Sequence, residues 1–236
     1  MITKQTSDFQ NMDFQKGEVI LIDKPLDWTS FNVVDKIRKT IKVKKVGHAG
    51  TLDPKATGLL IICTGAKTKS ISSYQDSTKE YIGKFFLGKT TPTMDTESLD
   101  QASESKDIKS IDRKLIEQFA EKFVGEIEQI PPPYSAIWVD GKRAYKLARK
   151  GREVKLKPRK VVIDKFEIID YNEPLVSFVV SCSKGTYIRK LAADLGEELG
   201  CGAFLYELRR TKIGSYNIND ALNLEEFNVL FLNRVN

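Results

Sequence analysis

Residues 47–58 read Gly47-His48-Ala49-Gly50-Thr51-Leu52-Asp53-Pro54-Lys55-Ala56-Thr57-Gly58, a single carboxylate set among three glycines. Glycine permits tight turns and close backbone approach, and Pro54 biases Asp53 toward extended geometry, which restricts where its carboxylate points. A rigid loop holding out one acid can supply a nucleophile or a stabilising negative charge. Taken alone, the same residues also fit an aspartate capping a turn and a histidine in an ordinary structural hydrogen bond. His48 is the only histidine, so sites built from two or three imidazoles are excluded. Three cysteines without a Cys-x-x-Cys pair support neither a zinc ribbon nor a disulfide framework, and point to a reducing compartment. Neither a Walker loop nor Gly-x-Gly-x-x-Gly occurs. The expected chemistry is metal-free, cofactor-free and centred on one carboxylate.

The elements that must carry this loop follow from periodicity. Residues 18–22 read as a strand, 24–27 as a turn, and Thr29 or Ser30 can cap a helix with Phe31, Val34, Ile37 and Ile41 inward. Residues 47–57 read as loop, 59–63 as a buried strand, and 79–87 as an alternating strand with Tyr81, Phe85 and Leu87 on one face. The polar stretch 90–109 predicts a flexible connection before a helix over 112–124. A short basic helix over 144–150, strands over 161–169 and 175–182, a helix from Gly185, a hairpin over 203–218 and a helix over 224–232 complete the pattern. Hairpin-linked strands with interspersed helices predict an α+β fold on a largely antiparallel sheet. Residues 1–16 are polar and predict a flexible leader, without the basic start and apolar stretch of an export signal. No apolar stretch is long enough to span a bilayer, and the expected location is the cytoplasm.

Charge is segregated. The net value is +6, but residues 142–160 hold ten Lys/Arg against Glu153 alone, and residues 36–45 hold six and no acid. Single-sign runs of this kind track polyanions, nucleic acid first; a solvated helix face and a charged hairpin are the plainer alternative.

The loop signature, Gly-x-Leu-Asp-Pro-x-Ala-Thr-Gly, resembles that of the TruB-type tRNA pseudouridine-55 synthases, whose catalytic aspartate falls on Asp53. Other pieces agree in order: Asp23-Lys24-Pro25 with Thr29-Ser30, Lys79-Glu80-Tyr81, Pro132-Pro133-Tyr134-Ser135-Ala136, Gly141-Lys142-Arg143-Ala144-Tyr145, Gly185-Thr186-Tyr187-Ile188-Arg189 and Leu208-Arg209-Arg210-Thr211. The resemblance covers about residues 19–216. Asp27 departs from it, standing where glycine is expected. The resemblance implies a pseudouridine synthase fold, a long, mainly antiparallel mixed sheet with flanking helices. It further implies one catalytic domain over residues 17–236, without the PUA-like C-terminal RNA-binding extension of many relatives.

It also implies an activity: isomerisation of uridine to pseudouridine in the T-arm loop of tRNA, by base flipping, in a monomer needing neither cofactor nor protein partner. Tyr81 would stack on the flipped uracil and assist removal of its C5 proton. Desolvation would push Asp53 toward its neutral form, so a cation is needed nearby, and Arg189 is the candidate. With Thr186 as N-cap, Arg189 would sit in the first helical turn, against the macrodipole, where an anionic partner is called for. Lys69 and Tyr187 would wall the pocket, with Lys69 paired to a carboxylate; His48 would fill the space the base vacates, and Leu208 would line the apolar edge. Lys24, Arg143, Arg149, Lys150 and Arg152 are the expected RNA contacts. Two readings from other classes compete: an RNA-binding module without turnover, which would not need the carboxylate, and an aspartate-nucleophile hydrolase, which would want a second acid or histidine to activate water.

Overall fold

The computed structural model describes residues 1–235 except 8, 10, 105 and 140, with side chains through residue 232. In chain order the elements are β1 (Val19–Lys24), α1 (Ser30–Ile41), β2 (Val46–Ala49), β3 (Ala56–Thr64), α2 (Ile71–Asp76), β4 (Lys79–Leu87), α3 (Arg113–Glu121), β5 (Gly125–Gln129), β6 (Trp138–Val139), β7 (Lys142–Arg143), α4 (Ala144–Ala148), β8 (Arg159–Asn172), β9 (Leu175–Cys182), α5 (Ile188–Glu198), β10 (Ala203–Ile213), β11 (Tyr216–Asn217) and α6 (Leu224–Val235), with short 3-10 turns between some of them. Where one domain over residues 17–236 was expected, the chain packs as two compact units, residues 1–81 with 208–236, and residues 82–207. Strands β4 and β10 each contribute residues to both.

In the first unit β3 lies between β1 and β10, antiparallel to β1 and to β2, parallel to β10. Its nine residues are almost wholly buried because both faces are covered. Leu60 and Ile62 pack with Ile20, Ile22, Val33, Val34, Ile37, Leu222 and Phe227 on one side, while Leu59, Ile61 and Cys63 pack with Val19, Leu21, Ala49 and Ile213 on the other. Thr29, not Ser30, caps α1, in a reciprocal capping box with Asn32. The inward stripe is Ser30, Val33, Val34, Ile37 and Ile41, and this phase leaves Phe31 exposed. The leader is not loose: Ile2, Phe9 and Phe14 are buried, and Ile2 pairs with Ile20. Three apolar anchors outweigh the polar composition around them.

The second unit carries the strand order β4-β9-β8-β5, with β8 antiparallel to both β9 and β5. Phe85 stacks on Phe178 at 4.0 Å between centroids, with Phe166 edge-on to both. The polar stretch expected to be a flexible connection instead folds inward. Thr91, Thr93, Asp95 and Ser98 are buried, Asp95 caps a 3-10 turn over Thr96–Gln101, and Asp95 bridges Leu205. The expected terminal hairpin begins later, since β10 runs unbroken through Thr211 and turns only at Gly214. The mixed sheet with flanking helices is the α+β architecture read from the sequence.

Candidate active site

The loop between β2 and β3, residues 50–55, carries Asp53 and is tied down along its length by its backbone. Gly50 opens it at φ +92° and offers its carbonyl to Arg210 Nη2 at 3.1 Å. Ser30 Oγ accepts from Leu52 N at 2.8 Å and donates to Leu52 O at 3.1 Å. Pro54 O accepts from Asp27 N at 2.9 Å and from Lys24 Nζ at 3.4 Å, and Ala56 N closes the turn on Asp53 O at 3.0 Å. Asp27 sits at φ +62°, in the left-handed region that favours glycine and that aspartate tolerates better than most residues. Its carboxylate pairs with Lys55 at 2.7 Å, so the departure from glycine leaves the turn in place.

Two buried cations flank the loop. Lys24 and Arg210 stand opposite Gly58 on its two sides, in β1 and β10 respectively. Gly58 is at φ +105°, and a Cβ there would lie 2.4 Å from Arg210 O, so the position admits only glycine. Arg210 is 1% exposed and also donates from Nε to Leu59 O at 2.7 Å. In the sequence it stands within Leu208-Arg209-Arg210-Thr211 without an assigned role, although two consecutive arginines in a strand must face opposite sides. Arg209 is the outward one, bonded to both Asp23 carboxylate oxygens at 3.0 and 2.6 Å.

Lys24, expected to contact RNA, is 0% exposed, and its Nζ donates to Pro25 O at 2.8 Å and Trp28 O at 2.6 Å as well as to Pro54 O. It holds the Asp53 loop and is enclosed from solvent. Burial lowers its pKa to about 8, helped by the Arg210 charge and opposed by Asp53, Asp27 and Asp23. An unfolded lysine titrates near 10.5, so below pH 8 both states are protonated and the burial penalty is fully present. Between pH 8 and 10.5 the unfolded chain binds more protons and stability rises with pH. Wild type should therefore gain stability over Lys24→Met across that window, measured by urea unfolding at about pH 7.5, 8.5 and 9.5. A pH-independent difference would show that the ammonium is not buried.

His48 lies on β2 with Nδ1 buried and unpartnered among the described residues. Its pKa is lowered by burial and then by Arg210, against a backbone hydrogen bond at Gly50, so the imidazole is neutral at physiological pH. Tyr81 is buried on the face of β4 that also carries Phe85 and Leu87. Leu208 is half-buried where β10 meets Ala56. Lys69 is exposed on a 3-10 turn, and among the described residues it forms no ion pair, contrary to the carboxylate pairing expected of it. The first unit thus brings Asp53, His48 and Leu208 onto β3 and its neighbours, around Lys24 and Arg210.

The second unit holds Arg189. Tyr187, not Thr186, is the N-cap of α5, and Arg189 does fall in the first turn. The cap has no side-chain bond of its own. Buried Gln129 substitutes, accepting from Tyr187 N at 2.7 Å and donating to Tyr187 O at 3.1 Å, and the Arg159 guanidinium lies 4.6 Å from the Tyr187 ring centroid. Arg189 is 5% exposed; Nη1 donates to Thr93 O at 2.9 Å and Nη2 to Tyr134 O at 3.0 Å, with Asp95 Oδ2 3.5 Å from Nε. An acid does face the cation, as its place against the helix dipole requires. Asp95 gives no signal in the sequence beyond a capping pattern in a polar stretch.

The basic segment runs through β7, α4 and the irregular stretch after it into the first residues of β8, Arg159 and Lys160. Lys142, Lys146, Arg149, Lys150 and Arg152 line a surface cavity of about 460 Å³, while Arg143 packs on Trp138. Arg149 pairs with Glu97 at 2.6 Å, an exposed contact that a phosphate can replace at a cost of about 1 kcal/mol or less. On α1, Asp35 pairs with Arg38 and Lys39, which reduces the charge of the other basic run. Among the described residues no cluster of His, Cys, Asp and Glu could hold a metal ion, and no helix is long and apolar enough to cross a membrane.

Residues 38–188 match the model of the TruB family pseudouridylate synthase N-terminal domain, and residues 189–234 that of the tRNA pseudouridylate synthase B C-terminal domain. The chain is 51% identical to the tRNA pseudouridine synthase B of Phocaeicola vulgatus, over 92% of this chain and 94% of that one. It is 46% identical to that of Flavobacterium johnsoniae, over 91% and 96%. Among solved structures, a Cbf5-Nop10-Gar1 complex gives a TM-score of 0.72 at 29% identity, covering 97% of this chain, and an H/ACA RNP bound to a substrate RNA gives 0.68 at 26%, covering 96%. This chain spans 58% and 59% of those two solved chains. With the pseudouridine synthase fold, both family models matched and half its residues shared with curated relatives, the chain belongs to the TruB family of tRNA pseudouridine synthases, isomerases that turn uridine in tRNA into pseudouridine.

Proposed function

We propose that the uridine isomerised is position 55, in the T-arm loop, and that it is drawn out of its stack to reach Asp53. What carries this reading is the Asp53 loop, held by Ser30, Lys24 and Arg210 on its backbone atoms beside two buried cations. The reaction breaks the bond from uracil N1 to ribose C1′, turns the base, and joins C5 to C1′; the C5 proton is lost and N1 gains one. Atoms and electrons balance without an oxidant or reductant. Asp53 acts as an ionised carboxylate on the sugar or the base, splitting one hard step into easier ones. Tyr81 stacks on the uracil and assists the C5 proton transfer, Arg189 is the third residue of the catalytic set, and neutral His48 fills the place of the extruded base. Extrusion costs a few kcal/mol, offset by phosphate contacts from the basic segment. The protein works as a monomer in the cytoplasm, where its RNA substrate is. Incubation with an unmodified tRNA transcript, followed by chemical mapping, should reveal pseudouridine at that single T-loop uridine; absence of product overturns the reading.

The basic segment has its own test. Replacing Arg149, Lys150 and Arg152 together with alanine should weaken RNA binding and flatten the plot of log affinity against log salt. Every phosphate no longer neutralised lowers the slope by roughly 0.7 to 0.9, or up to about two units for the three side chains together. An unchanged slope would place the phosphate contacts elsewhere.

A further inference from the structure

Trp138 is the largest apolar side chain left in solvent among the described residues, 61% exposed on the two-strand hairpin of β6 and β7. A surface indole forgoes the burial of an unusually large apolar area, so its position calls for a partner. One part of the ring is already engaged: the Arg143 guanidinium, its cross-strand neighbour, lies 4.3 Å from the ring centroid and is itself anchored by donating to Ala136 O. Arg143 is also the N-cap of α4, so the platform stands on ordered backbone. The next residue back, Lys142, lines the basic cavity shared with Lys146, Arg149, Lys150 and Arg152. A flat aromatic surface beside a cavity walled by lysine and arginine stems, with their charged ends around it, matches the two faces of an unpaired nucleotide, its base and its phosphate.

We propose that Trp138, braced by Arg143, is a stacking platform for an unpaired nucleobase of the RNA substrate, with a neighbouring phosphate held by the lysine and arginine ends around the adjacent cavity. This rests on the tRNA reading above and adds to it a contact distinct from the isomerised uridine. An acidic protein would satisfy the cavity's charge but would not need the indole, and it would be released by salt alone.

A T-arm hairpin is the probe. Trp138→Ala should weaken its binding roughly 5- to 100-fold, the range that base–aromatic stacking supplies, and Trp138→Phe should recover most of the loss. The salt slope should stay unchanged, because every phosphate keeps its cation. Loop nucleotides are then made abasic one at a time: the abasic site that weakens wild-type binding should have no further effect on Trp138→Ala, which is the coupling of a direct contact. Circular dichroism melts of both variants should coincide with wild type, as expected of an exposed residue. Binding by Trp138→Ala as tight as wild type, or additive losses at every abasic position, would overturn the platform while leaving the activity assignment standing. Wild-type protein that neither binds nor modifies the hairpin would overturn the tRNA reading and the platform with it.

Discussion

Asp53→Asn is expected to abolish pseudouridine formation while leaving tRNA affinity within about threefold. The amide keeps the size of the carboxylate but neither its charge nor its nucleophilicity. Ser30 on Leu52, Lys24 on Pro54 and Arg210 on Gly50 bind backbone atoms that the substitution leaves in place, so they should hold the loop. A secondary effect follows from the charge removed. Asp53 raises the pKa of Lys24, so the variant should lower it further below its already depressed value. Single-turnover assays with protein in excess over tRNA separate chemistry from release. Activity above a few percent of wild type would remove Asp53 from its role.

Arg189→Lys is expected to reduce turnover at saturating RNA on the order of a hundredfold, the scale of a misplaced catalytic group. The guanidinium spans Thr93 O, Tyr134 O and Asp95 at once, through three separate nitrogens, and a lysine ammonium on a single point cannot. Retained charge is therefore not enough. Of the two carbonyls that lose donors, Thr93 O is buried and Tyr134 O partly so, and stability should also fall, by about 1–3 kcal/mol. Rates must accordingly be compared at a temperature where circular dichroism shows both proteins folded. Wild-type turnover in the folded lysine variant would show that Arg189 contributes charge and structure but not orientation.

These residues differ in how far the sequence discloses them. Asp53 is legible because its loop declares itself: glycines where only glycine fits, as at Gly58, and a proline fixing the residue before it. The strands are legible because burial imposes a period of two, or, for β3 covered on both faces, a continuous apolar run, and α1 because its stripe follows a period of 3.6, although its true phase turns Phe31 outward rather than in. Composition misleads where a few residues decide. Ile2, Phe9 and Phe14 anchor a leader that reads as loose, and Thr91, Thr93, Asp95 and Ser98 fold inward from a stretch that reads as linker, because buried polar groups can be satisfied by one another.

By itself the sequence determined the family, the α+β class, the lone carboxylate and the basic segment, all of them matters of residue type and short spacing. Tertiary structure alone decided which cations serve which acids. Lys24 and Arg210 meet the Asp53 loop only because β1 and β10 pair with β3 on opposite sides in one register, and Asp95 meets Arg189 from a distant part of the chain. Such partners are set by strand register and packing, which no local pattern encodes, and burial then turns what reads as an RNA-binding lysine into the support beneath the Asp53 loop.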